Sequence, residues 1–301
     1  MVSEMTTVET GVGVADAQVL RGISSWRIIY KRLRRNRAAL IGGYLILFLI
    51  IVAIIGPLLT VHDPFRVDYA TKLLPPSAEH WLGTDHNGRD IFTRLIHGTS
   101  ITLYIGFLSV LVGLLIGVPL GIISGYYGKI LDSIIMRCID VLLAFPGILL
   151  AIALVSVLGG SITNVIIAVG VFSVPGFARI VRGSTMAVIK LEYIDAVRAL
   201  GASDSRIIIR HILPNIISPI IVQATIRIAI AILIASGLSF LGLGAQPPTP
   251  EWGAMLSQGR SYMFDHPHVA LFPGLAIVSA VLAFNLFGDG LRDAFDPQSK
   301  A

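Results

Sequence analysis

Six long apolar runs separated by shorter polar stretches dominate the chain, at residues 38–60, 99–123, 139–158, 162–181, 216–241 and 269–288. Each is near or above the roughly 20 residues that a helix needs to cross the hydrocarbon core of a bilayer. The pattern predicts an all-α integral membrane protein with six spans. It divides into a polar, basic segment at 1–37, a first span, a polar connection at 61–98, a five-span core at 99–288 and a short tail at 289–301. The connection at 61–98 is longer than a simple link requires. Within the core, the longest polar interruption is 182–215.

Composition agrees with that division. Hydrophobic residues make up 54% of the chain and charged residues 14%, with a mean hydropathy of +0.81, more apolar surface than a soluble domain of this length could hide. Basic residues crowd one side of the spans: Arg21, Arg27, Lys31, Arg32, Arg34, Arg35 and Arg37 ahead of the first, Lys129 and Arg137 after the second, six between Arg179 and Arg210, and Arg292 and Lys300 in the tail. The other side carries Arg66, Lys72, Arg89, Arg94 and Arg260. By the positive-inside rule both termini are expected in the cytoplasm. The net charge of +5 is accounted for by this anchoring and calls for no nucleic-acid partner. Residues 1–37 are too long and polar for an ordinary signal-peptide start, so the first span is expected to stay as an anchor. Cys138 is the only cysteine, which leaves no internal disulfide and no cysteine-based metal site to infer.

The interruption itself has internal order. Asp195, Ala196, Arg198, Ala199 and Leu200 make a short helix that Gly201 can end, since glycine accepts the left-handed conformation needed past a helix terminus. A second helix can start at once, with Ser203 or Ser205 as cap and Ile207, Ile208, Ile209, Ile212 and Leu213 as its apolar side, and Pro214 marks the start of the next span. Taken by itself, such a segment could be a polar loop that merely keeps two spans apart.

Its spacing resembles the cytoplasmic coupling loop, the "EAA" motif, of binding-protein-dependent ABC transporter permeases: Glu-Ala-Ala, three residues, Gly, nine residues, then Ile-x-Leu-Pro. Asp195-Ala196-Val197 stands for the triplet, Gly201 follows after three residues, and Leu213-Pro214 closes the motif. Val197 replaces the second alanine, and His211 stands where isoleucine is usual. Three further stretches resemble the C-type subunit of dipeptide and oligopeptide permeases: Leu82-Gly-Thr-Asp85 with Gly88-Arg-Asp90, the segment Phe240–Gly253, and Phe284–Pro297. The resemblance thus covers nearly residues 30–298. It implies a six-transmembrane-helix type I ABC importer permease fold in a bacterial or archaeal plasma membrane, with Glu192, Asp195, Ala196, Arg198, Ala199, Leu200, Gly201 and Ala202 coupling to an ATPase. The implied partners are a homologous permease subunit, two cytoplasmic ATP-binding subunits that bind ATP and Mg, and an extracytoplasmic substrate-binding protein that delivers a dipeptide or oligopeptide. Nickel chelates, glutathione or another small solute are alternative cargoes of the same architecture.

Other features bear on mechanism. Gly113, Gly117, Gly121 and Gly125 fall at strict four-residue spacing in the second span and make a bare face for close helix packing; a substrate surface is the other reading. Pro119 is expected to kink that span, and Pro146 and Pro175 to break the third and fourth. Arg227 lies deep in the fifth span, where a charge costs roughly 2.5–3.5 kcal/mol on insertion scales unless it faces the bundle interior or water. Gln223 is one turn away. The pair reads either as part of the translocation pathway or as an internal tie. The polar signature at 82–90 reads as a folded outer cap or as a contact for the binding protein. His62, His80, His86, His97, His266 and His268 all fall on the expected outer side, yet none pairs at helical spacing, and no metal site is assigned. The sequence contains no Gly-x-x-x-x-Gly-Lys-Ser/Thr phosphate loop, no His-Glu-x-x-His and no Gly-x-Ser-x-Gly, so no catalytic residue and no cofactor of its own is expected. A passive channel would not need the 182–215 segment, and a membrane enzyme would need a reactive cluster at depth.

Overall fold

The computed structural model describes residues 25–295; Arg21 and Lys300, and with them most of the expected basic segment and half of the expected tail, lie outside the described residues. The chain begins with α1 (Ser25–Arg35) and α2 (Arg37–Leu59). Asn36 separates them as the N-cap of α2, its side chain accepting the Ala39 N–H at 3.1 Å. A folded cap follows, with one 3-10 turn at Tyr69–Thr71 and a single bridge between Thr84 and Asp90. Then come α3 (Ile91–Tyr127), α4 (Lys129–Ala144), α5 (Gly147–Leu158), α6 (Ile162–Ile189) and α7 (Glu192–Ala199). α8 (Asp204–Ile207), a π-turn (Ile208–Ile212) and α9 (Leu213–Phe240) form one continuous helix, and α10 (Trp252–Gly259) and α11 (His268–Phe295) complete the described chain.

Among the described residues, α2, α3, α6, the Asp204–Phe240 helix and α11 are each long and apolar enough to cross a membrane, and α4 with α5 makes a sixth path if the bent pair counts as one. Several expected boundaries move. The third span, expected at 139–158, is two helices bent by 89° at Phe145–Pro146, because Pro146 has no N–H to continue the ladder and holds an extended ψ of 127° ahead of α5. Pro175, expected to break the fourth span, sits buried inside an unbroken α6. Pro214 does not begin a new span either: the π-turn just ahead of it, in which Leu213 N–H reaches back to the Ile208 carbonyl, accommodates the missing donor without ending the helix. The interruption expected at 182–215 therefore shrinks to the chain between Ile189 and Asp204. The outer connection likewise ends at Asp90 instead of 98, because the Asp90 carboxylate caps α3 by accepting the Thr93 N–H at 2.7 Å.

The most extensive helix interface is α3 against α6. The two run parallel in a fixed register: a Cβ at Gly113 would meet Ser173 at 2.6 Å, one at Gly117 the Val174 carbonyl at 2.7 Å, one at Gly121 the Ala178 carbonyl at 2.6 Å, and one at Gly125 the Arg182 carbonyl at 2.8 Å. These glycines let one backbone lie directly on the other, so dispersion acts over the whole length of the contact. α9 and α11 complete the core with buried Ile228, Ile232, Leu238, Ile277 and Phe284. α2 packs antiparallel on α11 and leaves Tyr44, Phe48, Ile51, Ile54 and Leu58 exposed, as a helix at the lipid-facing edge of the bundle should.

Candidate coupling segment and translocation cleft

The chain from Leu191 to Ile212 lies at the end of the bundle opposite the cap. Glu192 and Asp195 occupy the first turns of α7 and Arg198 its last, the order that complements the helix dipole. α7 ends in a Schellman motif: Gly201 N–H bonds the Arg198 carbonyl at 2.9 Å and Ala202 N–H the Val197 carbonyl at 3.3 Å, while Gly201 takes φ = +80°. Ile194 and Ile207 are fully buried, and Val197 and Ala202 pack against the same core. Val197, the departure from the motif, thus lies on the anchored side. Glu192, Asp195, Ala196, Arg198, Ala199 and Gly201 face outward, with Leu200 87% exposed among them. The expected capping by Ser203 takes a different form: Ser203 is the N-cap of α8, but its side chain makes no cap hydrogen bond. What fastens α8 is Tyr126 at the end of α3, whose hydroxyl donates to Asp204 at 2.6 Å. Nearby, Asn215 donates to the Tyr193 hydroxyl at 3.1 Å and to the His211 carbonyl at 2.6 Å. At the same end, Asp132 of α4 accepts from Arg182 of α6 at 2.5 and 2.6 Å and from Ser124 of α3.

Gln223 lines a cleft of about 460 Å³ between α6, α9 and the end of α11, with Ile180, Ser218, Pro219, Ile226 and Arg292 around it. Arg227, one turn on, reaches α6 instead. Its guanidinium stands 5.7 Å over the Phe172 ring and fills the hollow left by Gly176, where a side-chain carbon would collide with it. Among the described residues it joins no ion pair. The four seam glycines face α6 and none of them lines the cleft.

At the other end, the 82–90 signature is the framework of the cap. Asp85 accepts the backbone N–H of Asn87 and Arg89, pairs with the Arg89 side chain at 2.7 Å and lies 3.6 Å from Arg94. Arg94 is wholly buried and donates to the carbonyls of Pro64 and Pro248, so one guanidinium ties the first outer segment to the last. Arg89 also reaches Gln258 at 3.0 Å. Burial holds His86 below its ordinary value. Sequence reasoning missed Glu251, which is fully buried: it caps α10 through Ala254 N–H at 2.9 Å and lies 3.4 Å from Ser236 and 3.5 Å from Thr102. Burial pushes its carboxyl above the usual range, against the opposing pull of these donors. Its hydroxyl partners sit 15 and 149 residues away, and no local spacing could reveal them.

A helical bundle with this many membrane paths, a folded cap at one end and an anchored, outward-facing helix at the other defines a multi-pass membrane protein. The chain belongs to the family of binding-protein-dependent transport system inner membrane components, whose family model matches residues 117–300; the model for the N-terminal TM domain of oligopeptide transport permease C matches residues 24–76. It is 52% identical over 277 residues to the glutathione transport system permease protein GsiD of Pectobacterium atrosepticum, covering 92% of each chain. It is 48% identical over 279 residues to the dipeptide transport system permease protein DppC of Alkalihalophilus pseudofirmus, covering 93% of this chain and 92% of that one. In fold it is similar to a chain of the inward-facing MetNI methionine ABC transporter, with a TM-score of 0.54 and 22% identity over 67% of this chain and 97% of that one. A chain of an amino acid ABC transporter gives a TM-score of 0.52 at 17% identity, over 65% of this chain and 91% of that one. This is therefore a multi-pass permease subunit of an ABC importer of the bacterial inner membrane, and such a subunit works with ATPase and substrate-binding partners.

Proposed function

We propose that this subunit imports short peptides, dipeptides to oligopeptides with glutathione included, as one half of a pathway completed by a homologous permease. Two ATPase subunits serve the pair of permeases, and one of them docks on the exposed side of α7, through Asp195, Ala196, Ala199, Leu200 and Gly201. ATP and Mg belong to those partners, since this chain carries no phosphate loop. The cap end faces outward and receives substrate from a binding protein; both termini are cytoplasmic, in keeping with the distribution of basic residues. Closure of the ATPases shifts α7 and, through its anchoring residues, the spans that carry it, which switches the cleft beside Gln223 between the two sides. The observation that carries this reading is α7 itself, an exposed helix with small residues and a bare leucine on its free side and Ile194 rooted in the core on the other. The names of relatives that carry dipeptides and glutathione support the cargo class.

The test is reconstitution of the complex with its ATPases and binding protein into liposomes, followed by uptake of labelled dipeptides, longer peptides and glutathione. ATP-dependent accumulation of at least one of these is expected. Accumulation without ATP, or uptake of none of them, would overturn the reading.

A further inference from the structure

The cap holds a cluster that none of the transport machinery uses. His62 lies three residues beyond the end of α2, His80 in the middle of the cap, and Asp90 at the N-cap of α3. The three offer one ligand atom each, all within 4.8 Å of one another. His80 Nδ1 is 3.0 Å from Asp90 Oδ1, and the two imidazole rings are 4.9 Å apart at a tilt of 33°. They open on a cavity of about 340 Å³ whose wall also carries Asp63, Asp68 and Glu79 against the single cation Arg66.

We propose that this cluster is a binding site for a divalent transition-metal cation of the zinc class. Two imidazoles and one carboxylate form a mixed nitrogen and oxygen donor set, which suits zinc and its neighbours, whereas calcium and magnesium take oxygen ligands. Zinc holds such ligands at about 2.0–2.2 Å, so adjacent donor atoms stand roughly 3.3–3.5 Å apart around a tetrahedral ion. His80 and Asp90 are already close to that separation. Asp90 is oriented by the bond from Thr93 N–H to its other oxygen, the kind of outer support that fixes a ligating carboxylate. His80 and Asp90 are buried, but His62 is only partly so, and among the described residues its one hydrogen-bonding neighbour is the Glu79 carbonyl at 3.2 Å. It can turn inward to complete the set, leaving a fourth position for water, and the acidic wall favours a cation. An ion there would tie the end of α2 and the start of α3 to the middle of the cap. The sequence hid this site because its ligands stand 18 and 10 residues apart on irregular chain.

The experiment uses the full chain in its complex, without a polyhistidine tag, stripped with chelator and then given Zn²⁺ or Co²⁺. Bound metal is measured by mass spectrometry after gel filtration, and Co²⁺ coordination by visible absorption. The wild type should hold one more equivalent of Zn²⁺ per copy of this chain than His62→Ala does. Zinc affinity at this site should fall at least about tenfold in His62→Ala and in His62→Gln, and the Co²⁺ band should vanish in both. His266→Ala, outside the cluster, should bind as the wild type does. Equal zinc retention by the wild type and both His62 variants would overturn the proposal, as would the loss of binding in His266→Ala alone.

Discussion

The Tyr126 hydroxyl donates a 2.6 Å hydrogen bond to the Asp204 carboxylate, joining the last turn of α3 to the first turn of α8 across 78 residues of sequence. The pair lies on the exposed side of the molecule, so it contributes little to stability, yet it is the direct polar link between the end of α3 and the helix that follows the exposed segment. Tyr126→Phe should leave complex yield and basal ATPase activity unchanged and lower peptide uptake per ATP hydrolysed by roughly two- to tenfold, the equivalent of one net hydrogen bond. Unchanged uptake per ATP would show that motion is transmitted elsewhere.

Gly121→Val tests the seam between α3 and α6. Its side chain would be driven into the Ala178 carbonyl and Val181, and backbone cannot give way as a flexible side chain can, so overpacking of about 1–3 kcal/mol is expected. Melting temperature and yield of the complex should fall together. Gly183→Ala on α6, where nothing lies within 4 Å, should be neutral or slightly stabilising. A seam variant as stable as Gly183→Ala would contradict the packing role.

At Gly201 the surroundings are open but φ is +80°, so substitution acts through the backbone alone, at about 1–2 kcal/mol for a β-branched residue. Gly201→Asn should keep most transport, since asparagine tolerates the left-handed region. Gly201→Val should unravel the Schellman turn and lose ATP-driven uptake while the protein remains in the membrane. Equal uptake by the two variants would sink this account.

Glu251 predicts a pH dependence. Its folded value is raised above the ordinary 4.5, so the folded state binds the proton more tightly than the unfolded chain does. The contribution of Glu251 is therefore fully present below about pH 4.5 and is lost as pH rises through the folded value. Thermal melting of the complex should show a downward slope over that window, and Glu251→Gln, which can still accept from Ala254 N–H, should flatten it. An identical slope in the variant would place the effect on another group.

For Arg227, the contact with Phe172 and the hollow at Gly176 point to a tie between α9 and α6, a cation–π contact of the order of 0.5–2 kcal/mol. Arg227→Gln should lower melting temperature and yield, with loss of uptake tracking loss of assembled complex. Gly176→Ala, which leaves the charge but pushes it off the ring, should do the same more mildly. Reduced uptake per assembled complex at unchanged stability would assign Arg227 to the pathway instead.

What the sequence made legible was whatever depends on local period. The apolar runs locate α2, α6, α9 and α11, and the four-residue glycine repeat marks the face of α3 that meets α6. The glycine at 201 announces the end of α7 to the residue. Proline was the poorer guide, because its effect depends on what can replace the lost donor. Pro146 has an extended residue on its N-terminal side and breaks the chain, Pro214 is absorbed by a π-turn, and Pro175 is buried within a continuous helix. The boundary between the cap and α3 was hidden for a related reason. Arg94, His97 and Gly98 look like loop residues until Asp85 and two carbonyls bury the arginine and Trp252 closes against Gly98, donating to the Leu95 carbonyl at 3.0 Å. Of those partners, Pro248 and Trp252 come from more than 150 residues further along the sequence.

The uninterrupted helix from Asp204 to Phe240 spans 37 residues, roughly 55 Å at the usual rise. A rod of that length turns angle into distance: a tilt of about 6° about one end carries the other through roughly 6 Å, more than one helical turn. Its first residue accepts from Tyr126, and at its far end the Phe240 carbonyl accepts from Ser257 of α10 at 2.7 Å while Ser236 lies against Glu251. The exposed segment beside α7 and the cap are thus fastened to the two ends of a single stick, and neither can change its inclination without the other registering it.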